Sequence, residues 1–390
     1  MSKGSYRLLW VVAIVALLLA MALTACTGAA ETEPAAEEEA AEEEVAEEEP
    51  MEEEAAEEEE MAEEEPVEEE APPKVLLITG TGGLGDQGFN DAGYAGAERA
   101  AEELGVELDI VEPIEMAEFE PQYRSAASEG EYALIVGLGF AQADPANRVG
   151  EEYPEQNIAI IDSASELDNV QGILFREEEN AFLAGILAGH VTQQTELEGI
   201  NEDKVLGIVL GIDVPHVRRY AVSFEAGAKT VDPETEVLVG VVGDFQDQAK
   251  AKELSLAQID QGADIVYQVA GGAGLGVFTA AEERGVYAIG EGLNQNGMHP
   301  EFIVASTYKL MGNAVYDAID ATLEGNFEGG NFVYGFAEDY LIVDLDGSNV
   351  PVSDEAVQDL EEYQAKLASG EITAPFSEED LEAYLSSLEG

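Results

Sequence analysis

Gly80-Thr81-Gly82-Gly83-Leu84-Gly85 has the G-x-G-x-x-G spacing of a turn whose backbone amides could cradle a pyrophosphate. The apolar run 75–78 before it reads as a strand, and a helical stretch follows. Asp109 lies about 24 residues on, at the end of the next expected strand, where a ribose-binding carboxylate would stand. A nicotinamide-dependent dehydrogenase is therefore one functional class to weigh. Two features of the residues oppose it. The turn runs on through Asp86-Gln87-Gly88-Phe89-Asn90, so the helix begins later than a tight phosphate turn requires. No His and no Tyr-Lys pair stands out as the acid for hydride transfer.

Other chemistries find fewer residues still. His190, His216 and His299 are far apart, and none has H-E-x-x-H spacing, so no metal site is expected. His190 reads as a helix-end residue. There is no G-x-S-x-G elbow. Glu177-Glu178-Glu179 reads as a helix N-terminus, where carboxylates suit the dipole. The sequence predicts neither an enzyme nor a cofactor.

Cys26 is the one cysteine, so it can form no internal disulfide and no cysteine metal site alone. It follows a positive stretch containing Lys3 and Arg7 and an uncharged apolar run over residues 8–23. That run is short of the roughly 20 residues of a membrane span. Leu23-Thr24-Ala25-Cys26 is similar to the bacterial lipoprotein signal, in which the cysteine is lipidated and becomes the mature N-terminus. Residues 1–25 are thus expected to be a signal peptide and Cys26 a lipidation site. The protein is then extracytoplasmic and anchored to the cell membrane, where nicotinamide cofactors are scarce. Residues 26–73 read as a disordered Glu/Ala/Pro-rich tether, since they cannot bury enough apolar surface to offset their ordering entropy. The formal net charge is -68. So acidic a chain repels nucleic acid, and no DNA or RNA partner is expected.

From residue 74 onward, short apolar runs alternate with amphipathic stretches. Strands are expected at 106–110, 133–136, 158–161, 205–210, 237–241, 265–269, 286–289 and 302–306, with a further one at 340–344. Helices are expected at 90–104, 119–129, 142–152, 177–192, 217–230, 246–261, 274–284 and 309–323, with terminal helices at 354–368 and 378–388. Alternation of this kind gives parallel sheets covered by helices on both faces. So many strands fit two open α/β lobes better than one sheet. Ligands of such sheets sit beyond the carboxyl ends of the strands, so the segments just after each strand are the ones to watch.

Those segments carry a family resemblance that runs from about Val75 to about Pro375. Asp86-Gln87-Gly88-Phe89-Asn90, Ile160-Ile161-Asp162, Gly172-Ile173-Leu174-Phe175-Arg176-Glu177-Glu178, Ala181-Phe182-Leu183-Ala184-Gly185 and Phe224-Glu225-Ala226-Gly227 resemble motifs of the basic membrane protein family. So do Gln268-Val269-Ala270-Gly271-Gly272-Ala273-Gly274-Leu275-Gly276-Val277-Phe278, Val315-Tyr316-Asp317-Ala318-Ile319 and Gly370-Glu371-Ile372. This family of PnrA-like solute-binding lipoproteins serves ABC importers and includes a purine nucleoside receptor.

The resemblance implies a type I periplasmic-binding-protein fold, α/β, with two doubly wound parallel-sheet lobes joined by a hinge of three crossovers. Residues 74–376 would form this domain. Lobe 1 would take about 74–188 and 293–322, and lobe 2 about 189–292 and 323–376, followed by a short helix in 377–390. It implies a small flat ligand between the lobes, permease subunits of an ABC transporter as partners, and no catalysis. Phe89 and Phe245 would stack on the two faces of a base, and Asn90, carried with Asp86 in its turn, would read the base edge. Asp162 would accept from a ring N–H or amine, Gly271 and Gly272 would bring the backbone to the sugar, and Lys309 would lie near the ribose. The chain departs from the family at two aspartate positions, occupied here by Gly80 and Gly292, although Glu291 could supply a displaced carboxylate. A purine nucleoside is the leading ligand. A flavin, a nucleobase-like vitamin or another small solute is the alternative, as is a ligand sensor of the same fold.

Overall fold

The computed structural model describes residues 71–388. The signal segment, Cys26 and all but the last three residues of the tether lie outside the described residues.

Among the described residues, twelve strands and ten α-helices follow in chain order. They are β1 (Lys74–Ile78), α1 (Phe89–Leu104), β2 (Glu107–Val111), α2 (Phe119–Glu129), β3 (Tyr132–Leu138), α3 (Ala143–Glu152), β4 (Ile158–Ile161) and β5 (Val170–Phe175). Next come α4 (Glu177–Val191), β6 (Val205–Leu210), α5 (Pro215–Val231), β7 (Glu236–Val241), α6 (Gln248–Ile259), β8 (Ala263–Val269), α7 (Leu275–Arg284) and β9 (Tyr287–Glu291). The chain closes with β10 (Ile303–Lys309), α8 (Met311–Leu323), β11 (Gly330–Tyr334), β12 (Leu341–Asp344), α9 (Asp354–Ser369) and α10 (Glu378–Leu388).

The strands form two six-stranded sheets, in the orders β11-β5-β4-β3-β1-β2 and β12-β10-β9-β8-β6-β7. Every pairing is parallel except that of β12 with β10. The inner strands are buried along their length, as in Val-Leu-Gly-Ile-Val-Leu of β6, because helices cover both faces of each sheet. This is the two-lobed type I α/β fold.

The chain passes between lobes three times, at Phe175 to Glu177, Lys309 to Met311, and Tyr334 to Leu341. The allocation drawn from the sequence therefore needs correcting. Residues 303–309, placed with lobe 1, pair with β9 in the second sheet, while 330–334, placed with lobe 2, form the edge of the first. The cause is β11 itself: Gly-Asn-Phe-Val-Tyr alternates in exposure and has no apolar run to announce a strand. β5 was missed for a related reason, since Gln171 and Gly172 interrupt its apolar run. Helix α4 packs on α5, β10 and β12, so the second lobe begins near residue 177 rather than 189.

The two helical family motifs face one another in that second lobe. A Cβ on Gly185 would lie 2.1 Å from the carbonyl oxygen of Phe224, and one on Gly227 would lie 2.0 Å from that of Phe182. The glycines let α4 and α5 touch backbone to backbone, which makes these motifs packing devices rather than ligand sites.

Candidate functional site

The strand ends of both sheets open on one cavity of about 580 Å³. The first sheet supplies the turn after β1, Gly139 and Phe140 after β3, and Asp162 after β4. The second supplies His216 and Tyr220 on α5, Phe245 after β7, Gly271 and Gly272 after β8, Glu291 at the end of β9, and Lys309 at the end of β10. All nine residues proposed above as ligand-binding, from Asp86 to Lys309, line this cavity. Their separation in sequence disappears because each follows a strand whose carboxyl end faces the cleft.

Phe89 is the first residue of α1, and Phe245 lies against Gly211 and Gly271 in the other lobe. Among the described residues neither ring stacks on another aromatic ring, and both are half-buried. Each therefore has apolar face available to a flat ligand.

Asp86 and Asn90 are engaged with the protein. Asp86 accepts from the backbone N–H groups of Gly88, Asn90 and Asp91 and from Asn90 Nδ2, at 2.9–3.2 Å. Its carboxylate holds the first turn of α1, where negative charge suits the helix dipole. Asn90 also accepts from the Gly80 N–H at 2.8 Å. Of its amide, one N–H remains for a ligand.

The glycine turn is likewise occupied. Leu84 N–H donates to Glu112, while Gly85 and Gln87 N–H donate to Asp91, at 2.7–2.9 Å. Carboxylates hold the amides that a pyrophosphate would need, and they would repel it. The G-x-G-x-x-G spacing here builds a cavity wall.

Lys309 Nζ donates to both oxygens of Asp162 at 2.6 Å and to Glu177 Oε1 at 2.9 Å. It also sits 5.2 Å from the ring centre of Phe89 and 5.0 Å from that of Phe175. Burial alone would push the Asp162 carboxyl up, but the Lys309 ammonium and His216 hold it well below its ordinary range. Burial would lower Lys309, and its carboxylate partners raise it instead. Asp162, Glu177 and His216 bring three possible metal-ligating atoms within 4.8 Å of one another. The Lys309 ammonium already bonds both carboxylates, so the protein supplies the cation itself.

Glu291 stands in the opposite wall, with Tyr220 O–H donating to its Oε1 at 3.3 Å. Burial pushes its pKa up to about 7, against the pull of Lys309 and with a push from Glu177 and Asp162. From sequence, His216 stood out only as a histidine without metal-ligand spacing, and neither Phe140 nor Tyr220 was named. The segments after β3 and β6 contain the first two, but only the fold shows that His216 and Tyr220, four apart on α5, point the same way.

The lobes also touch each other. Gln295 Nε2 donates to Gln87 O at 2.9 Å, and Gln246 Nε2 donates to Thr81 O at 2.6 Å. Gly292 has φ +103°, and a Cβ there would lie 3.1 Å from the Gly88 Cα.

Two doubly wound lobes, three crossovers and an aromatic-walled cavity between them define a two-lobed solute-binding protein. The particular family follows from comparison. Residues 74–378 match the family model described as ABC transporter substrate-binding protein PnrA-like, and the chain belongs to that family. Its members bind solutes and do not catalyse reactions. An uncharacterized lipoprotein of Pyrococcus abyssi is 34% identical over 287 residues, covering 70% of this chain and 70% of the relative. The ABC transporter nucleoside-binding protein BmpA of Lactococcus lactis is 28% identical over 325 residues, covering 77% of this chain and 89% of the relative. A solved solute-binding protein of an ABC transporter system from Aeropyrum pernix superposes with a TM-score of 0.73 at 31% identity, covering 82% of this chain and 98% of that one.

Proposed function

We propose that this protein captures a purine nucleoside outside the cytoplasm and presents it to the permease of an ABC importer. The observation that carries the reading is the pair of rings, Phe89 from one lobe and Phe245 from the other, both lining the interlobe cavity and neither stacked on another aromatic ring among the described residues. A base between them would bury two faces at little entropic cost. Lys309 and Asp162 would meet the polar edge of the ligand, and Gly271 and Gly272 would let backbone approach its sugar. Glu291 takes the place of the aspartate missing at Gly292. The nucleoside-binding relative from Lactococcus supports the ligand class. Cys26 would carry the lipid anchor, in keeping with the lipoprotein names of the Pyrococcus relatives.

Binding would favour the form in which the lobes meet, because both lobes then contact one ligand. The test is calorimetry and thermal shift on the full chain with inosine, guanosine, adenosine, riboflavin and sugars. A ligand at about 100 times its Kd adds about 2.7 kcal/mol of stability. Phe89→Ala and Phe245→Ala should each weaken nucleoside binding about 100-fold or more while leaving the fold intact. Silence with nucleosides and a rise with riboflavin would change the cargo. Loss of folding in Phe89→Ala would make that ring part of the core.

A further inference from the structure

His216 stands in the cavity wall at the second position of α5, its ring centre 5.2 Å from that of Phe140. Its Nε2 lies 3.7 Å from Asp162 Oδ2 and 3.6 Å from Glu177 Oε1. Among the described residues no protein hydrogen bond engages Nδ1. Two carboxylates at Nε2 keep a hydrogen on that nitrogen in either charge state. Nδ1 is then the atom whose character is open: an N–H donor in the imidazolium, a bare acceptor in the neutral ring.

The surroundings decide which form prevails. Asp162 after β4 and Glu177 on α4 face the ring with negative charge, and Lys309 on β10 faces it with positive charge. On its own helix, Arg219 is bonded to Glu177 and Glu178, and Tyr220 is bonded to Glu291 of β9. Burial would lower His216, but Glu177 and Asp162 outweigh it and raise it above its ordinary value.

Several of the cavity's acceptors on the His216 side are absent or already engaged, while Glu291 stands in the opposite wall. Gly80 and Gly292 have no side chain where the resemblance expects aspartates, the Asn90 oxygen is taken by Gly80, and Asp162 is held by Lys309. His216 and Phe89 line the same cavity, with Lys309 between them: its Nζ lies 2.6 Å from Asp162, the carboxylate beside His216 Nε2, and 5.2 Å from the Phe89 ring. One ligand in that cavity can therefore meet both side chains.

We propose that His216 is a specificity-determining residue whose Nδ1–H donates to an oxo oxygen of the bound heterocycle, so that the cavity prefers a 6-oxopurine nucleoside to a 6-aminopurine nucleoside. The inference rests on the nucleoside reading and adds to it a chemical class. An exocyclic amine meets a donor here and loses its hydrogen bond, whereas an oxo group gains one to a charged partner. Raising the pH removes the proton from Nδ1 and reverses the preference.

The test measures Kd for inosine and adenosine with the full chain at about pH 6 and about pH 8.5, in wild type, His216→Phe and His216→Gln. Wild type should favour inosine by at least about tenfold at the lower pH, as expected of a hydrogen bond to a charged group, and the ratio should fall at the higher pH. His216→Phe keeps a ring against Phe140 and should bring the ratio near unity at both pH values. Should that variant fail to fold, His216→Gln, which offers both a donor and an acceptor, should lose the pH dependence of the ratio. Glu291 remains in both variants, so its titration does not imitate the effect. A wild-type ratio retained in His216→Phe, a pH-dependent ratio retained in His216→Gln, or no preference for inosine in wild type at the lower pH would overturn the assignment. Wild type binding neither nucleoside would instead overturn the nucleoside reading, and this inference with it.

Discussion

Lys309 and Asp162 reach each other across the cleft, with the Lys309 Nζ 2.6 Å from both carboxylate oxygens and both side chains buried. One residue ends a strand of the second sheet and the other follows a strand of the first. A bidentate ion pair thus ties the lobes beside the crossover at Lys309 to Met311.

Breaking that pair from one side should be costly. Lys309→Met leaves Asp162 buried with no ammonium, and such one-sided removal costs about 3–5 kcal/mol. The fall should appear in the denaturant midpoint. Pairing it with Asp162→Asn should recover at least about half, since Glu177 keeps Arg219. A double variant no more stable than the single one would show that the pair is not the source. The depressed Asp162 pKa gives stability that is full above about pH 4 and lost as pH falls further.

Restoring the family aspartate at position 292 should weaken binding rather than improve it. Gly292 has φ +103°, where side chains are strained, and its Cβ would press on Gly88 of the other lobe at 3.1 Å. The Gln295 to Gln87 bond lies beside this contact. Gly292→Asp and Gly292→Ala should both hold the lobes apart. Strain of about 1–3 kcal/mol corresponds to a loss of affinity of about tenfold or more. Calorimetry with the ligand that the thermal-shift and calorimetric comparison identifies checks this, and tighter binding by Gly292→Asp would refute it.

The strand pattern in the sequence was informative about which segments border the cavity. Apolar runs locate strand ends, which the fold turns toward one cleft, and within those segments the family resemblance named Phe89, Asp162, Phe245 and Lys309, all of which line the cavity. It was silent on β11, an edge strand with alternating exposure, and so it misplaced the exchange between lobes. It was also silent on how polar groups are used. Nothing in the spacing of Asp86 and Asn90 says that they bond each other, and nothing in His216 says that it meets Glu177, 39 positions away. Those pairings depend on three-dimensional proximity, which periodicity does not encode.

Asp264, fully buried at the second residue of β8, should make the protein less stable as pH rises from about 4 toward about 7. Among the described residues no cation pairs with it, and it accepts from Thr192 O–H at 2.8 and 3.0 Å and from the Asn201 N–H at 3.2 Å. Burial raises its pKa to about 7. The native state therefore holds a proton that the unfolded chain releases near pH 4. Stability falls by up to about 1.4 kcal/mol per pH unit between about pH 4 and about pH 7. Asp264→Asn can keep the same neighbours, accepting from Asn201 and donating to Thr192. Its stability should be flat where wild type declines. Equal slopes in the two proteins would show that Asp264 ionises normally.

Glu291 should add a second decline in the same window, and the two can be separated. Its pKa is also raised to about 7, from an ordinary value near 4.5, so it too binds a proton in the native state that the unfolded chain gives up. Because its residue lies in the cavity wall and is partly reached by solvent, its share is smaller, about 1–2 kcal/mol by pH 8. Glu291 ends β9 while Asp264 begins β8, so they stand at opposite ends of the second sheet. They share no partner among the described residues, and their effects should add. Glu291→Gln can still accept from Tyr220 and should remove only its own part of the slope, with the double variant removing both. Urea titrations at about pH 5 and about pH 8 read each part, and a double variant with the slope of either single one would show that the two sites are coupled.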